Sequence, residues 1–398
     1  MNKIVILGAG YGGITAALRL ARLLKKKKDY EIHLIDKNPF HTFKTQLHEA
    51  AVRNVEVSVP INQIIRKTSI IFHQQEIKQI LTKEHIVKLQ DFDITYNYLV
   101  LALGSITNFY GIPGLQAHSL TLQSLDDAKI IYENISGLID EAMTSINENN
   151  KKDLLRFVIG GGGLTGVEFA GELVDYLSRD NRLVQGLKEV IVIEAGNRLL
   201  PNLDEKMSEE ATKRLINKGI KIITNTKITN RTADTITLSN GEIIKSYCLV
   251  WTGGIKISEL IGASDLKIGQ LGRVLVNEYL QALDHPEIFA LGDNALAINP
   301  TTGKPVPAAA QFALQQGRLV GENIFAEIKG KEKKTYKPKV FGEIISLGRH
   351  LAVGWFAVPF IKKLKFIGFI GSLFKSAVED KHILLLRKES RNWTSWKG

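Results

Sequence analysis

With 398 residues, 44% of them hydrophobic, the chain is too long for one small domain and too apolar to be disordered over its bulk. Its net charge of +11 comes without an aromatic–basic RNA signature or a DNA-reading motif, so nucleic acid is set aside and an anionic surface fits better. The single cysteine, Cys248, excludes an internal disulfide and a redox dithiol alike, which removes disulfide reductases and suits a reducing compartment.

Met1-Asn2-Lys3 leads directly into an apolar run, Ile4-Val5-Ile6-Leu7, and predicts no signal peptide. No uninterrupted apolar stretch reaches the ~18 residues of a bilayer span. The first run ends in Gly8-Ala9-Gly10-Tyr11-Gly12-Gly13 and continues into an amphipathic segment; the next run, Ile32-His33-Leu34-Ile35, ends at Asp36. This is the strand–glycine loop–helix pattern of a dinucleotide site. Gly8 permits the tight turn, Gly10 lets a pyrophosphate approach the backbone, and Gly13 lets helix and strand pack closely. The helix N-terminus offers free N–H groups to the anion, and Asp36 is placed to accept ribose hydroxyls. A small β-meander is expected around residues 70–90, and Tyr98-Leu99-Val100-Leu101-Ala102-Leu103-Gly104-Ser105 reads as a strand leaving this unit.

About 150 residues later the pattern returns. A polar, helix-rich stretch and a solvated connection at Asn147–Asp153 precede Phe157-Val158-Ile159-Gly160-Gly161-Gly162-Gly163-Leu164-Thr165-Gly166, and Val190-Ile191-Val192-Ile193 ends at Glu194. Gly161, Gly163 and Gly166 take the three glycine roles, with Leu164 and Thr165 opening the helix. Glu194 would repel a 2′-phosphate and favours NADH; Arg198, four residues on, leaves NADPH open. Cys248 lies in an apolar strand and reads as a small buried hydrophobe, and Leu249-Val250-Trp251-Thr252-Gly253-Gly254 reads as the crossover back.

Ile288-Phe289-Ala290-Leu291-Gly292-Asp293 is a further strand ending in Gly-Asp, followed by a helix expected over residues 311–328. Within Ala310-Gln311-Phe312-Ala313-Leu314-Gln315 the two glutamines are one helical turn apart among small residues. Spacing alone fits surface glutamines at a helix start as well as a shelf for a flat ring. After Lys329-Gly330-Lys331-Glu332-Lys333-Lys334 the chain turns basic and aromatic. Residues 365–377, with Phe366, Ile367, Phe369, Ile370, Leu373, Phe374 and Ala377 on one side, have the period of an amphipathic helix that would lie in a lipid interface.

The order of these features resembles the two-dinucleotide flavoproteins, and in its details the type II NADH dehydrogenases, the single-subunit NADH:quinone oxidoreductases. The resemblance rests on the first glycine loop, on Leu47-His48-Glu49-Ala50-Ala51, on Gly166-Val167-Glu168-Phe169-Ala170-Gly171-Glu172-Leu173, on the Ala-Gln-x-Ala-x-Gln run at Ala310–Gln315, and on Ser346-Leu347-Gly348-Arg349; it covers all but the extreme tail. It implies an α/β fold of two Rossmann-like domains, FAD-binding and NAD-binding, the second inserted in the first, plus a C-terminal membrane-associating region. The corresponding division is 1–115 and 269–328 for FAD, 116–268 for NAD(H), and 329–398 for the C-terminal region with its anchoring helix.

The resemblance also implies roles. Non-covalent FAD would contact Gly8, Gly10, Tyr11, Gly12, Gly13, Asp36, Lys37, Gly104, Asp293, Ala310 and Gln311, with Ile77 presenting backbone to the adenine. NADH would bind Gly161, Gly163, Leu164, Thr165, Gly166, Glu194, Gly253 and Gly254. Gln311 and Gln315 would meet a membrane quinone of menaquinone or ubiquinone type. Glu172, which could otherwise be one half of an interdomain salt bridge, would relay or stabilise protons. Lys375 matches the first lysine of a family Lys-Lys pair, although Ser376 follows it here. No metal is implied. The expected setting is the cytoplasmic face of the cell membrane, peripheral and homodimeric. Alternatives are an NAD(P)H-dependent reductase of a specialised naphthoquinone such as demethylphylloquinone, a ferredoxin-type reductase, and an NADH-sensing flavoprotein.

Overall fold

Apolar runs without polar alternates suit strands covered on both faces. Ile4, Val5, Ile6 and Leu7 are indeed fully buried, and their strand, Asn2–Leu7, lies inside a parallel sheet. The computed structural model describes residues 1–183, 186–358 and 361–390. In the first sheet the order is Gln281–Ala282, His285–Ala290, Tyr98–Leu101, Asn2–Leu7, Tyr30–Asp36, Ile70–Gln74, all pairs parallel except the first. Ile4 is in register with Ile32 on one side and Tyr98 on the other.

The second sheet repeats this plan with order Leu120–Thr121, Cys248–Trp251, Arg156–Gly160, Glu189–Ile193, Ile220–Ile223, parallel throughout. Each sheet thus places a loop-bearing strand between an acid-ended strand and a crossover strand. Each is accompanied by a three-stranded antiparallel meander: Ile77–Leu81, Ile86–Leu89 and Asp93–Thr95 for the first, and Ile228–Arg231, Thr235–Leu238 and Ile243–Lys245 for the second. The two crossovers pair with one another, Ser105–Thr107 antiparallel to Ile255–Ile257.

Three expectations need correction. Residues 70–74 are an edge strand of the first sheet, and the meander starts only at Ile77. The stretch 147–153 is solvated but helical: the Asn147 side chain accepts from the N–H groups of Asn149 and Asn150 and caps a helix, Glu148–Leu154. The basic amphipathic helix does not begin at residue 365. Ile361–Gly368 is the third strand of an antiparallel sheet with Gly342–Ser346 and Ala352–Val358. Pairing overrides the helical period there because Phe366 lies opposite Gly354, which leaves room for its ring, and packs on Phe356 at 5.0 Å. Gly368, at φ +103°, turns the chain into the C-terminal helix Phe369–Ser390. The apolar face assigned to Phe369, Ile370, Leu373, Phe374 and Ala377 rests on side chains outside those described, as does the tail from residue 391. Among the described residues no helix is long and apolar enough to cross a membrane.

The helix of the first loop, Tyr11–Leu23, packs along the helix Ala310–Ile328, which begins one residue before its expected start. Glycine makes the approach possible: a Cβ on Gly317 would run into the Gly12 carbonyl, and one on Gly12 into Leu291. Gly317→Val is expected to destabilise the protein by about 1–3 kcal/mol through overpacking. An unchanged midpoint in urea unfolding would show that the two backbones do not meet.

Candidate functional site

The two glycine loops are built alike. Gly8 and Gly161 have φ of +98° and +114°, and an added Cβ would strike Ala102 O in the first case and Gly253 in the second, so each turn presses on the neighbouring crossover. Gly13 and Gly166 sit directly on the carbonyls of Gly8 and Gly161. Gly10 and Gly163, by contrast, have open space where a side chain would go. Both helices start without a side-chain cap and without an acidic residue in the first turn. The first N–H groups of a helix have no partner within it, so each loop presents unpaired donors beside an open backbone. That cradle fits a dinucleotide pyrophosphate. Leu164 and Thr165 are exposed at the mouth of the second.

The acidic residues close both loops from below. Asp36 accepts from Ala9 N–H at 2.7 Å and Asn38 N–H at 2.9 Å. Glu194 accepts from Gly162 N–H and Gly196 N–H, each at 2.6 Å. Burial raises the Asp36 pKa, against the pull of its two backbone donors. Gln75 N–H donates to Asp36 O at 3.0 Å, which brings the segment leading to Ile77 beside that carboxylate, while Lys37 next to it is exposed. Arg198 Nη2 donates to Pro201 O at 2.9 Å and Leu203 O at 3.2 Å.

At the other end of the first loop's cleft stands Asp293. Ser105 Oγ donates to its carboxylate at 2.7 Å, beside Gly104, and Gln316 accepts from Gly292 N–H at 2.6 Å. Lys44 is open to water yet flanked by Asp293, Asp36 and Asp127; its pKa is lowered by crowding protein, with Asp293 and Asp36 pulling the other way. A cation between two separated carboxylates suits a long, charged ligand lying across both. Gly253 and Gly254, in the second crossover, lie against the rings of Trp251 and Tyr110.

Gln311 and Gln315 share a helix face, as the spacing predicts, but their amides are occupied. Gln311 donates to Gly342 O at 3.2 Å and accepts from Phe341 N–H at 3.2 Å. Gln315 donates to Lys339 O at 2.8 Å and accepts from Lys339 N–H at 2.9 Å. Together they pair with the backbone of residues 339–342 much as a strand would. Ala310 opens the same helix, half-buried.

Glu172 and Lys375 belong to a buried polar cluster that joins three parts of the chain. Glu172, only 2% exposed, forms an ion pair with Arg53 and accepts from Ser346 Oγ at 3.5 Å. Arg53 also reaches Glu49 at 3.4 Å. Lys375 Nζ lies 2.7 Å from His48 Nε2, 3.1 Å from Glu49 and 3.7 Å from Glu168, which accepts from Ser346 N–H at 3.1 Å. Three carboxylates therefore face two cations. Burial lowers the His48 pKa well below its usual value, so this ring adds no charge. Burial raises the pKa of Glu168 and of Glu172; the Glu49 carboxylate adds to both shifts, and Glu172 adds to that of Glu168. The cluster is suited to hold one proton. Sequence reasoning singles out Glu172 and Lys375 as chemistry; His48, Glu49 and Glu168 enter it only as members of shared motifs, and Arg53 lies outside every one of those motifs. Lys44 and Gln316 carried no signal at all.

Cys248 is buried in the second sheet and its thiol is pushed up to about 12, which leaves it without thiolate chemistry. Among the described residues no group of three or more His, Cys, Asp or Glu side chains could hold a metal.

Comparison with known proteins agrees with this geometry. Over 362 residues the chain is 28% identical to the type II NADH:quinone oxidoreductase of Staphylococcus aureus, covering 89% of each protein. The fold matches the structure of NDH2 from Plasmodium falciparum in complex with NADH with a TM-score of 0.85 at 21% identity, over 98% of this chain and 96% of that one. It also matches the sulfide:quinone oxidoreductase of Aquifex aeolicus with a TM-score of 0.80 at 21% identity, over 98% and 92%. The family model for pyridine nucleotide-disulphide oxidoreductases spans residues 2–317, which takes in both glycine loops, both strand-end acids and Asp293. Because that model covers most of its length, the chain belongs to the pyridine nucleotide-disulphide oxidoreductase family.

Proposed function

We propose that the protein is a type II NADH:quinone oxidoreductase, binding FAD at the first loop and NADH at the second and reducing a membrane quinone of menaquinone or ubiquinone type. The observation that carries this reading is the pair of twin cradles in a chain with one cysteine: two dinucleotides can be held, and a thiol relay between them is ruled out. When bound, FAD supplies the chemistry that takes a hydride equivalent from NADH and gives two electrons to a quinone. The domain division at 115, 268 and 328 follows from this reading, with the FAD unit made of two segments around the NAD(H) unit.

The chain's own residues orient, bind and handle protons. The loops at Gly8–Gly13 and Gly161–Gly166 hold the pyrophosphates, and Asp36 and Glu194 hold the riboses. Lys37, Ile77 and Gly104 line the FAD cleft, and Asp293 with Ser105 holds its ribityl end. Gly253 and Gly254 face the nicotinamide nucleotide. Ala310 and Gln311 support the ring, and Gln315 fixes the wall at Lys339 beside the quinone. Glu172, next to Glu168 and Lys375, keeps a proton within the protein for the quinone. The engagement of Arg198 Nη2 with the Pro201 and Leu203 carbonyls favours NADH over NADPH, since that nitrogen would have to leave both to meet a 2′-phosphate.

The same reading places the protein peripherally on the cytoplasmic face of the cell membrane, as the homodimer that the resemblance implies. Val340, Phe341 and Leu364 are exposed at the end of the C-terminal sheet where Gly342, Phe356 and Leu364 are in register, with Lys337, Lys339 and Lys365 neighbouring them in sequence. Apolar side chains interspersed with lysines suit an anionic lipid surface, where a quinone is dissolved.

Anaerobic stopped-flow tests the function. NADH should bleach the oxidised flavin band quickly, and a quinone analogue should restore it quickly; bleaching without recovery by any quinone would overturn the assignment in favour of a protein acceptor or an NADH sensor. Glu194→Gln should lower the NADH-over-NADPH preference in kcat/KM by about tenfold, worth about 1.4 kcal/mol; an unaltered ratio would remove Glu194 from nucleotide selection. Gln315→Ala should raise the quinone KM several-fold and spare ferricyanide reduction. Equal loss with both acceptors would sink its quinone role.

A further inference from the structure

In both loops the residue between the first two glycines has its N–H held by the strand-end carboxylate, Ala9 by Asp36 and Gly162 by Glu194. The carbonyl of that residue is held too, but by different groups. Gly162 O accepts from the backbone N–H of Leu200 at 2.8 Å, within its own nucleotide unit. Ala9 O lies 2.8 Å from His41 Nδ1, and the other nitrogen of that fully buried ring lies 3.1 Å from His382 Nε2, on the C-terminal helix.

A carbonyl offers only lone pairs, so His41 must carry its proton on Nδ1 to bond Ala9. Both rings are held neutral, because burial pulls His41 down to about 4 and His382 to about 3. The Nε2 of His41 is then a bare acceptor, and His382 must donate to it from Nε2. This tautomer leaves His382 Nδ1 as a buried acceptor without a partner among the described residues, so the alignment toward His41 is kept at a cost. The rings of Tyr11 and Phe43 enclose the pair: Tyr11 is 4.7 Å from His382 and 5.4 Å from His41, and Phe43 is 5.8 and 5.5 Å away.

The arrangement bears on phosphate binding through peptide planarity. The C=O of Ala9 and the N–H of Gly10 belong to one trans peptide and point in opposite directions. Holding the carbonyl inward on His41 therefore aims the Gly10 N–H the opposite way, at a residue beside which an added Cβ would meet nothing within 4 Å. We propose that His382 is a positioning residue for FAD: through His41 it sets the Ala9–Gly10 peptide for the pyrophosphate, and the C-terminal helix is thereby part of the cofactor site. This rests on the reading that FAD occupies the first loop.

The test times the release of FAD from full-length holoprotein, by the fluorescence of free flavin after dilution, for the wild type, His382→Leu and His382→Gln. Glutamine keeps an N–H donor near the position of Nε2, whereas leucine fills the space without one. The leucine variant should release FAD about tenfold faster, the glutamine variant within about threefold of wild type, and all three should bind NADH equally at the second loop. Equal release from all three proteins overturns the proposal, as does glutamine behaving no better than leucine or a parallel loss of NADH binding. Wild-type protein that carries no FAD would instead overturn the first-loop reading itself.

Discussion

Arg53 holds Glu172 and Glu49 where three distant stretches of chain meet, and the mutual placement of the two loops depends on that contact. The guanidinium comes from the helix Leu47–Arg53 of the first unit and Glu172 from the helix of the second loop, while Lys375 closes the cluster from the C-terminal helix. A buried ion pair gains little net stability, yet losing one partner costs about 3–5 kcal/mol. Such a contact specifies position more than it strengthens the fold. Glu168 and Glu172 repel each other across one helical turn, so that helix is comfortable only where Arg53, Lys375 and Ser346 wait for it. Gly171 lets it come down onto Leu347 and Gly348 at the same point. The N-terminus of this helix is the second glycine loop. Fixing its far half therefore fixes how that loop stands toward the first unit.

The twin loops show how one architecture serves two ligands. Turn, close packing and acidic support are the same in both, and the differences lie at the edges. The first cleft runs on to Asp293 and Lys44 and is walled by the glutamine helix, as a longer ligand requires. The second ends at a crossover whose glycines leave space against Trp251 and Tyr110.

Much of this was legible because it is local. A strand, a glycine loop and an acid at the end of the next strand are all set by contacts within about 35 residues, and each glycine's task follows from turn geometry and close packing. The C-terminal sheet was not legible in that way. Residues 361–368 alternate as a strand and also carry a helical stripe, and what decides is the space left by Gly354, which no local period shows. The helix after Asn147 was hidden by its own polarity, since its cap is a local feature but its apolar anchor is the single buried Leu154. The charge cluster was half visible. Its members lie at positions 48, 49, 53, 168, 172 and 375, and only a three-dimensional fold gathers them. Gln311 and Gln315 were read correctly as neighbours, but their grip on residues 339–342 depends on a segment whose backbone has no sequence signature.

The reach from Ala9 to His382 has a consequence for the order of assembly. The first glycine loop leaves the ribosome early, with its strand and helix, and His41 follows soon after, yet the imidazole that orients His41 on the Ala9 carbonyl is made 373 residues after Ala9. Long-range contacts of this kind form late, because their loop-closure entropy must be met first. A nascent chain would then hold a cofactor loop with the right shape and an unsettled peptide, and tight capture of the flavin would wait for the final helix. Trimming that helix would turn a tightly held cofactor into an exchangeable one, even with every glycine of the loop in place.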